Sequence, residues 1–178
     1  MYYEKEADEK SYYLFRRCEH DGHTAPYFTP PHCHEVSELL VISEGEAEVA
    51  LNGERRILCA GEILFLNSYD IHSFVFRECV RYSLVFSKDY SRMLATDEKT
   101  LPNYPVCDKS AFSDILSILE HYYSQYGEKI PNALLVEGLV SSVLGIIENS
   151  SGKVQRQSAS VQAIEVSFIQ TSPSSVPK

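Results

Sequence analysis

Two histidines one residue apart, His32 and His34, and a glutamate four residues further on, Glu38, stand in the stretch PPHCHEVSELLVISEG (30–45). Imidazole and carboxylate side chains in one place can hold a divalent transition metal, move protons, or offer hydrogen bonds to a small polar molecule. A further imidazole, His72, lies in GEILFLNSYDIH, eleven residues after Gly61. Alternate residues of a strand share a face, and His32, His34 and Glu38 have the same parity. A regular strand would aim all three to one side, with Leu40 and Ile42 continuing that face. Cys33 would point the other way, which argues against it as a fourth ligand.

The elements that must position these groups read as short strands. ELLVISEG runs into EAEVALNGERRILCAG, where Asn52-Gly53 signals a hairpin because both residues tolerate positive φ. EILFLN, HSFVFRE and VRYSLVFS follow, each bounded by turn residues. Strands at this spacing predict an antiparallel sandwich or barrel. The pattern changes after about residue 108. Phe112, Ile115, Leu116, Leu119, Tyr122, Tyr123 and Tyr126 recur at helical spacing, Gly127 ends that helix, and Pro131 precedes a second, NALLVEGLVSSVLGIIENS. Leu135, Leu139, Val143, Ile146 and Ile147 form an apolar stripe on it that must be buried against the barrel, the first helix or another subunit. Residues 150–160 read as a linker, VQAIEVSFIQ as the start of one more helix, and TSPSSVPK as a disordered tail.

Composition narrows the classes. The chain has 178 residues, enough for one domain with a core, and a net charge of −9. Binding a nucleic-acid backbone needs clustered Lys and Arg, and the pairs Arg16-Arg17 and Arg55-Arg56 supply no stripe. Five scattered cysteines without a CxxC read as free thiols of a reducing compartment. The charged N-terminus does not read as a secretory signal, and the expected location is cytoplasmic with no membrane partner.

The His-x-His, Glu and Gly45 spacing resembles the first motif of the cupin superfamily, and Gly61 and His72 fall in register with the second. Pro26 stands where the first motif usually has a glycine, and Asn67, Tyr69 and Phe76 replace the Pro, Gly and Asn of the second. More specifically, residues 30–74 resemble the N-terminal sensor domain of AraC-type transcription regulators. In that family a proline-rich arm precedes the His-x-His strand, an Asn-Gly hairpin and a Gly-Glu-Ile strand follow, and two helices after the barrel form the dimer interface. The similarity covers about residues 10–150.

The resemblance implies a mainly β fold: a cupin-like double-stranded β-helix (jelly-roll) barrel followed by two C-terminal α-helices. The expected divisions are 1–107 for the barrel with its N-terminal arm, 108–150 for a helical dimerisation hairpin, and 151–178 for a linker and the start of a helix-turn-helix region absent from this chain. The implied function is effector sensing and dimerisation, with DNA contacted only through that absent region. His32, His34, Glu38, Tyr69, His72 and Tyr82 are the expected effector-pocket residues, and a sugar or related metabolite is the expected effector. His32, His34, Glu38 and His72 could hold Zn, Ni, Fe or Mn. Leu135, Leu139, Val143, Ile146 and Ile147 are the expected homodimer contacts. The alternatives are a mononuclear metal cupin enzyme, such as a dioxygenase or isomerase, and a storage or scaffold role for an empty barrel.

Overall fold

The computed structural model describes residues 2–3, 13–87 and 101–150. The strands are β1 (Tyr2–Tyr3), β2 (Tyr13–Asp21), β3 (Tyr27–Cys33), β4 (Ser37–Leu51), β5 (Glu54–Cys59), β6 (Ile63–Leu66) and β7 (His72–Phe86). Helices α1 (Lys109–Tyr126) and α2 (Ala133–Ser150) follow. The linker, third helix and tail expected after residue 150 lie outside the described residues.

Two 15-residue strands, β4 and β7, pair along their whole length and form the spine. Each unites segments that the sequence reads as separate strands. The spine kinks where the pairing register shifts twice, between Ile42 and Glu44 and between Gly45 and Ala47. At the first shift β4 carries the extra residue, and at the second β7 does, so both strands invert their side-chain alternation. Gly45 makes the kink possible. Its φ is +71°, and a Cβ there would lie 2.0 Å from the Glu78 carbonyl oxygen. A side chain would therefore meet both backbone strain and a collision.

On one side of the kink the spine is flanked by β2 and β6, on the other by β3 and β5. β1 adds parallel to β3. The two halves face each other: Leu40, Ile42, Leu64 and Leu66 of one meet Val49, Leu58, Phe74 and Phe76 of the other in a single cluster. The Asn52-Gly53 hairpin forms as expected, with φ of 49° and 92°.

The opposite face of the first half packs under the helices. Leu39, Val41 and Leu84 join Ile115 and Leu119 of α1 and Val136, Leu139, Val143 and Ile147 of α2. Asp108 caps α1 by accepting a hydrogen bond from the Ala111 N–H, and Gly127 ends it with φ +61°. α2 is long and apolar enough in composition to cross a membrane, with mean hydropathy 1.4. Its Val136, Leu139, Val140, Val143, Leu144 and Ile147 are, however, each at most 2% exposed within this one chain, which accounts for the apolar run as core.

The stripe expected at a dimer interface is corrected by the same packing. Leu139, Val143 and Ile147 are fully buried against the sheet and α1, and Leu135 and Ile146 are half-buried beside them. Covering by the chain's own sheet leaves the three fully buried residues nothing to offer a partner. The large apolar side chain that α2 leaves outside is Leu134, at 79% exposure.

Candidate functional site

Strand β3 carries His32 to the position opposite His72, the first residue of β7, so the two pair across the ladder with ring centroids 4.2 Å apart. The chain leaves β3, passes His34 and enters β4, where Glu38 is the second residue. His34 closes on His72 with ring centroids at 5.0 Å. The four groups expected to meet therefore do meet. They do so from three strands, β3, β4 and β7, and the turn that carries His34, instead of along one regular strand.

Each imidazole is oriented by the backbone. Nδ1 of His32, His34 and His72 lies 2.9 Å from the carbonyl oxygen of Pro30, Val36 and Asp70 respectively. A carbonyl only accepts, so Nδ1 carries the proton and donates, and in the neutral ring Nε2 bears the lone pair. One ligand atom from each ring falls within 4.8 Å of those from the other two. His34 Nε2 is 3.5 Å and His72 Nε2 is 3.8 Å from Glu38 Oε2. The other Glu38 oxygen accepts from the Ser83 hydroxyl at 2.8 Å.

This arrangement is chemically incomplete as bare protein. A lone pair on Nε2 facing a carboxylate is repulsive. The contact becomes attractive only with a second proton on the imidazole or a cation between the two. His72 Nε2 is buried with no hydrogen-bond partner. Burial drives the His72 pKa down to about 4, against the pull of the Glu38 charge and the Asp70 carbonyl. Burial pushes the Glu38 carboxyl up, but the His34 hydrogen bond and the charges of both imidazoles, present only when those rings carry a second proton, together with the Ser83 hydroxyl, outweigh it and hold it below its ordinary range. At neutral pH the site is thus an ionised carboxylate beside a neutral His72. Borderline nitrogen donors held by carbonyls, plus one hard oxygen, suit a divalent transition metal.

A clasp behind the site holds His72. The Asp70 carboxylate accepts from Asn52 Nδ2 (2.8 Å), Asn103 Nδ2 (2.6 Å) and the Asn67 N–H (2.9 Å), while its backbone carbonyl accepts from His72 Nδ1–H. Asn67, which replaces the usual proline of the second motif, is thereby part of the turn that aims the imidazole.

In front of the site lies a cavity of about 230 Å³ between the two halves of the barrel. His32, His34 and Glu38 line one part of it, and Leu40, Phe74, Phe76 and Val85 supply apolar wall. An engineered cavity of about 150 Å³ accommodates benzene, so this one has room for roughly nine non-hydrogen atoms.

Two of the expected pocket residues lie elsewhere. Tyr82 is opposite Val41 on the helix-facing side, where it stacks on Phe15 at 6.2 Å and meets Tyr123 edge-on. Parity puts it there: its neighbours Arg81 and Ser83 face the cavity. Tyr69 sits in the Asn67–Asp70 turn with φ +68°. Its N–H donates to the His34 carbonyl, and its side chain is 56% exposed, outside the cavity lining. Arg81 was not anticipated. A charged residue inside the apolar run CVRYSLVF was the available signal.

The two-halved β-barrel with helices stacked on one outer face is a cupin-type fold. Residues 16–144 match the family described as the AraC-like ligand binding domain, and the chain belongs to that family. Among solved structures, apo ToxT K231A from Vibrio cholerae superposes with a TM-score of 0.53 at 11% identity, over 79% of this chain and 57% of that one. An RmlC-like cupin from Shewanella frigidimarina matches at TM-score 0.33 and 25% identity, over 36% of this chain and 58% of that one. A cupin 2 conserved barrel domain protein from Salinispora arenicola matches at 0.37 and 19%, over 46% and 69%. The chain spans less than two thirds of the ToxT and RmlC-like chains. No curated protein matches it.

Proposed function

We propose that this chain is the effector-sensing domain of an AraC-type transcription regulator and that it binds a small molecule inside the barrel. Family membership supports the reading, and one observation carries it: a cavity between the sheet halves into which polar side chains converge. A sensor acts by binding its ligand more tightly in one arrangement of the protein than in another, with coupling typically about 1–3 kcal/mol. The reading also includes a cytoplasmic location and a homodimer, now with the outer helix surface around Leu134 as the contact. A monomer by light scattering at micromolar concentration would remove the dimer from it.

The test is a small-metabolite screen by thermal unfolding, repeated on Val85→Phe, which fills the cavity from a lining position. Saturable stabilisation that disappears in the variant is expected. Hits that persist in Val85→Phe, or no hits, would overturn the proposal.

A specific observation favours a metal as part of the site: the lone pair of His72 has no partner. His32, His34, His72 and Glu38 would hold it, and it would supply a Lewis-acidic contact for a ligand oxygen. Zinc titration of wild-type protein and His72→Ala by calorimetry tests this, with about a tenfold or greater loss of affinity expected in the variant. Equal heats would sink it. Enzymatic turnover at such a metal is the second reading. Elemental analysis showing stoichiometric iron, with oxygen uptake on some substrate, would favour it over sensing.

A further inference from the structure

Among the described residues Arg81 is the one buried arginine, 7% exposed. Arg17, Arg56 and Arg77, all at least partly exposed, each meet a carboxylate: Glu19, Glu62 and Glu48. Arg81 meets none, and its Nη1 is buried with no hydrogen-bond partner. The guanidinium instead lies over the Phe76 ring, 3.6 Å from its centroid, with Tyr27 further off at 6.0 Å. Its nearest titratable neighbours supply no countercharge. Burial pushes the Cys79 thiol up in spite of its hydrogen bond with Arg81, so it remains a neutral thiol. Burial and the Arg81 charge push His20 down, so it remains a neutral imidazole.

A guanidinium is charged at every relevant pH, and a buried charge without a partner costs several kcal/mol. Arg81 lines the same cavity as the histidines. It stands opposite Ile42, four residues along β4 from Glu38, or about 13 Å of strand. Glu38 accepts from Ser83 and stands at one end of the cavity, Arg81 stands at the other, and Leu40 and Phe74 lie between them, with the exposed Arg16 also in the lining.

We propose that the effector is a small monocarboxylic acid whose carboxylate is held by Arg81 while its body fills the apolar middle of the cavity. This rests on the effector-binding reading above and names the ligand class. A planar guanidinium matches a carboxylate in two parallel hydrogen bonds. The lining carries Arg81, the exposed Arg16 and the Glu38 carboxylate, a net of one positive charge that fits a monoanion better than a doubly charged phosphate. Glu38 repels the acid group from the histidine end, which fixes the orientation. A neutral sugar would leave Arg81 uncompensated.

The test pairs acids of the right size with neutral amides of the same shape: benzoate against benzamide, and hexanoate against hexanamide. Binding to metal-stripped protein is measured by calorimetry and thermal shift. At least one acid is expected to bind on the order of tenfold to hundredfold more tightly than its amide. That ratio should fall to about one in Arg81→Met and survive in part in Arg81→Lys. The wild-type comparison stands even where a variant folds poorly. An amide that binds as well as its acid overturns the inference. So does an acid preference unchanged in Arg81→Met, and so does failure of both acids to bind at millimolar concentration. None of these results decides whether the barrel takes an effector at all, which the Val85→Phe experiment settles by itself.

Discussion

The two faces of the β4–β7 spine make opposite use of the same strands. Toward the helices, Leu39, Val41, Tyr82 and Leu84 meet aliphatic and aromatic side chains in one packed cluster. Toward the barrel interior, one residue away along each strand, stand Glu38, Arg81 and Ser83. The helix face is filled and gives cohesion. The interior face keeps a void, an unpaired cation and an imidazole with no partner for Nε2. Stability is concentrated on one side so that the other can hold groups that would be unfavourable alone.

That contrast can be broken by substitution on either side. The largest effect is expected on the helix face: Leu139→Ala, at a position 0% exposed, should lower unfolding free energy by about 4 kcal/mol in urea titrations. A loss below about 1 kcal/mol would mean that the helices are not seated as described. Next comes acid sensitivity on the interior face. The unfolded chain takes up a proton on residue 72 near pH 6.5, whereas the folded chain does so only near 4. Between those values protons favour unfolding. Metal-stripped protein should therefore lose up to about 3 kcal/mol as pH falls from 6.5 to 4, and His72→Phe should lose much less. Glu38 acts in a lower window. Its depressed pKa contributes stability that is present above the unfolded carboxyl value and fades as pH falls through the folded one.

A smaller effect is expected from the clasp. Asp70→Ala removes three hydrogen bonds and should cost about 2 kcal/mol, together with weaker zinc binding because the turn no longer holds the His72 ring. Unchanged zinc affinity would limit Asp70 to a stabilising role. The smallest stability change belongs to Glu38→Gln, within about 1 kcal/mol by thermal unfolding, since Ser83 can still donate to the amide oxygen. Its effect should appear in effector response, with the oligomeric state by light scattering unaltered.

The sequence is legible wherever a local rule decides. Asn52-Gly53 makes its hairpin, Gly127 ends α1, and the histidines and Glu38 converge because the motif spacing carries the turns between them. It misleads where pairing decides. Tyr82 looks like a pocket residue and Arg81 is passed over, yet the register places Tyr82 under α1 and Arg81 in the cavity. Counting alternation along β7 fails because one extra residue near Arg77 and Glu78 is visible only against β4. The α2 stripe misleads for another reason. Its apolar width shows that it must be covered, but not whether its own sheet or a second chain does the covering.

The kink at Gly45 has a consequence for how the chain tolerates change. Along β4 the cavity-facing positions are even-numbered up to Ile42 and odd-numbered from Ala47. A saturation scan should therefore show its alternating sensitivity reverse phase across residues 43–46. A one-residue deletion there would bring the lining positions of both halves into one alternation and remove the extra residue on which the kink depends.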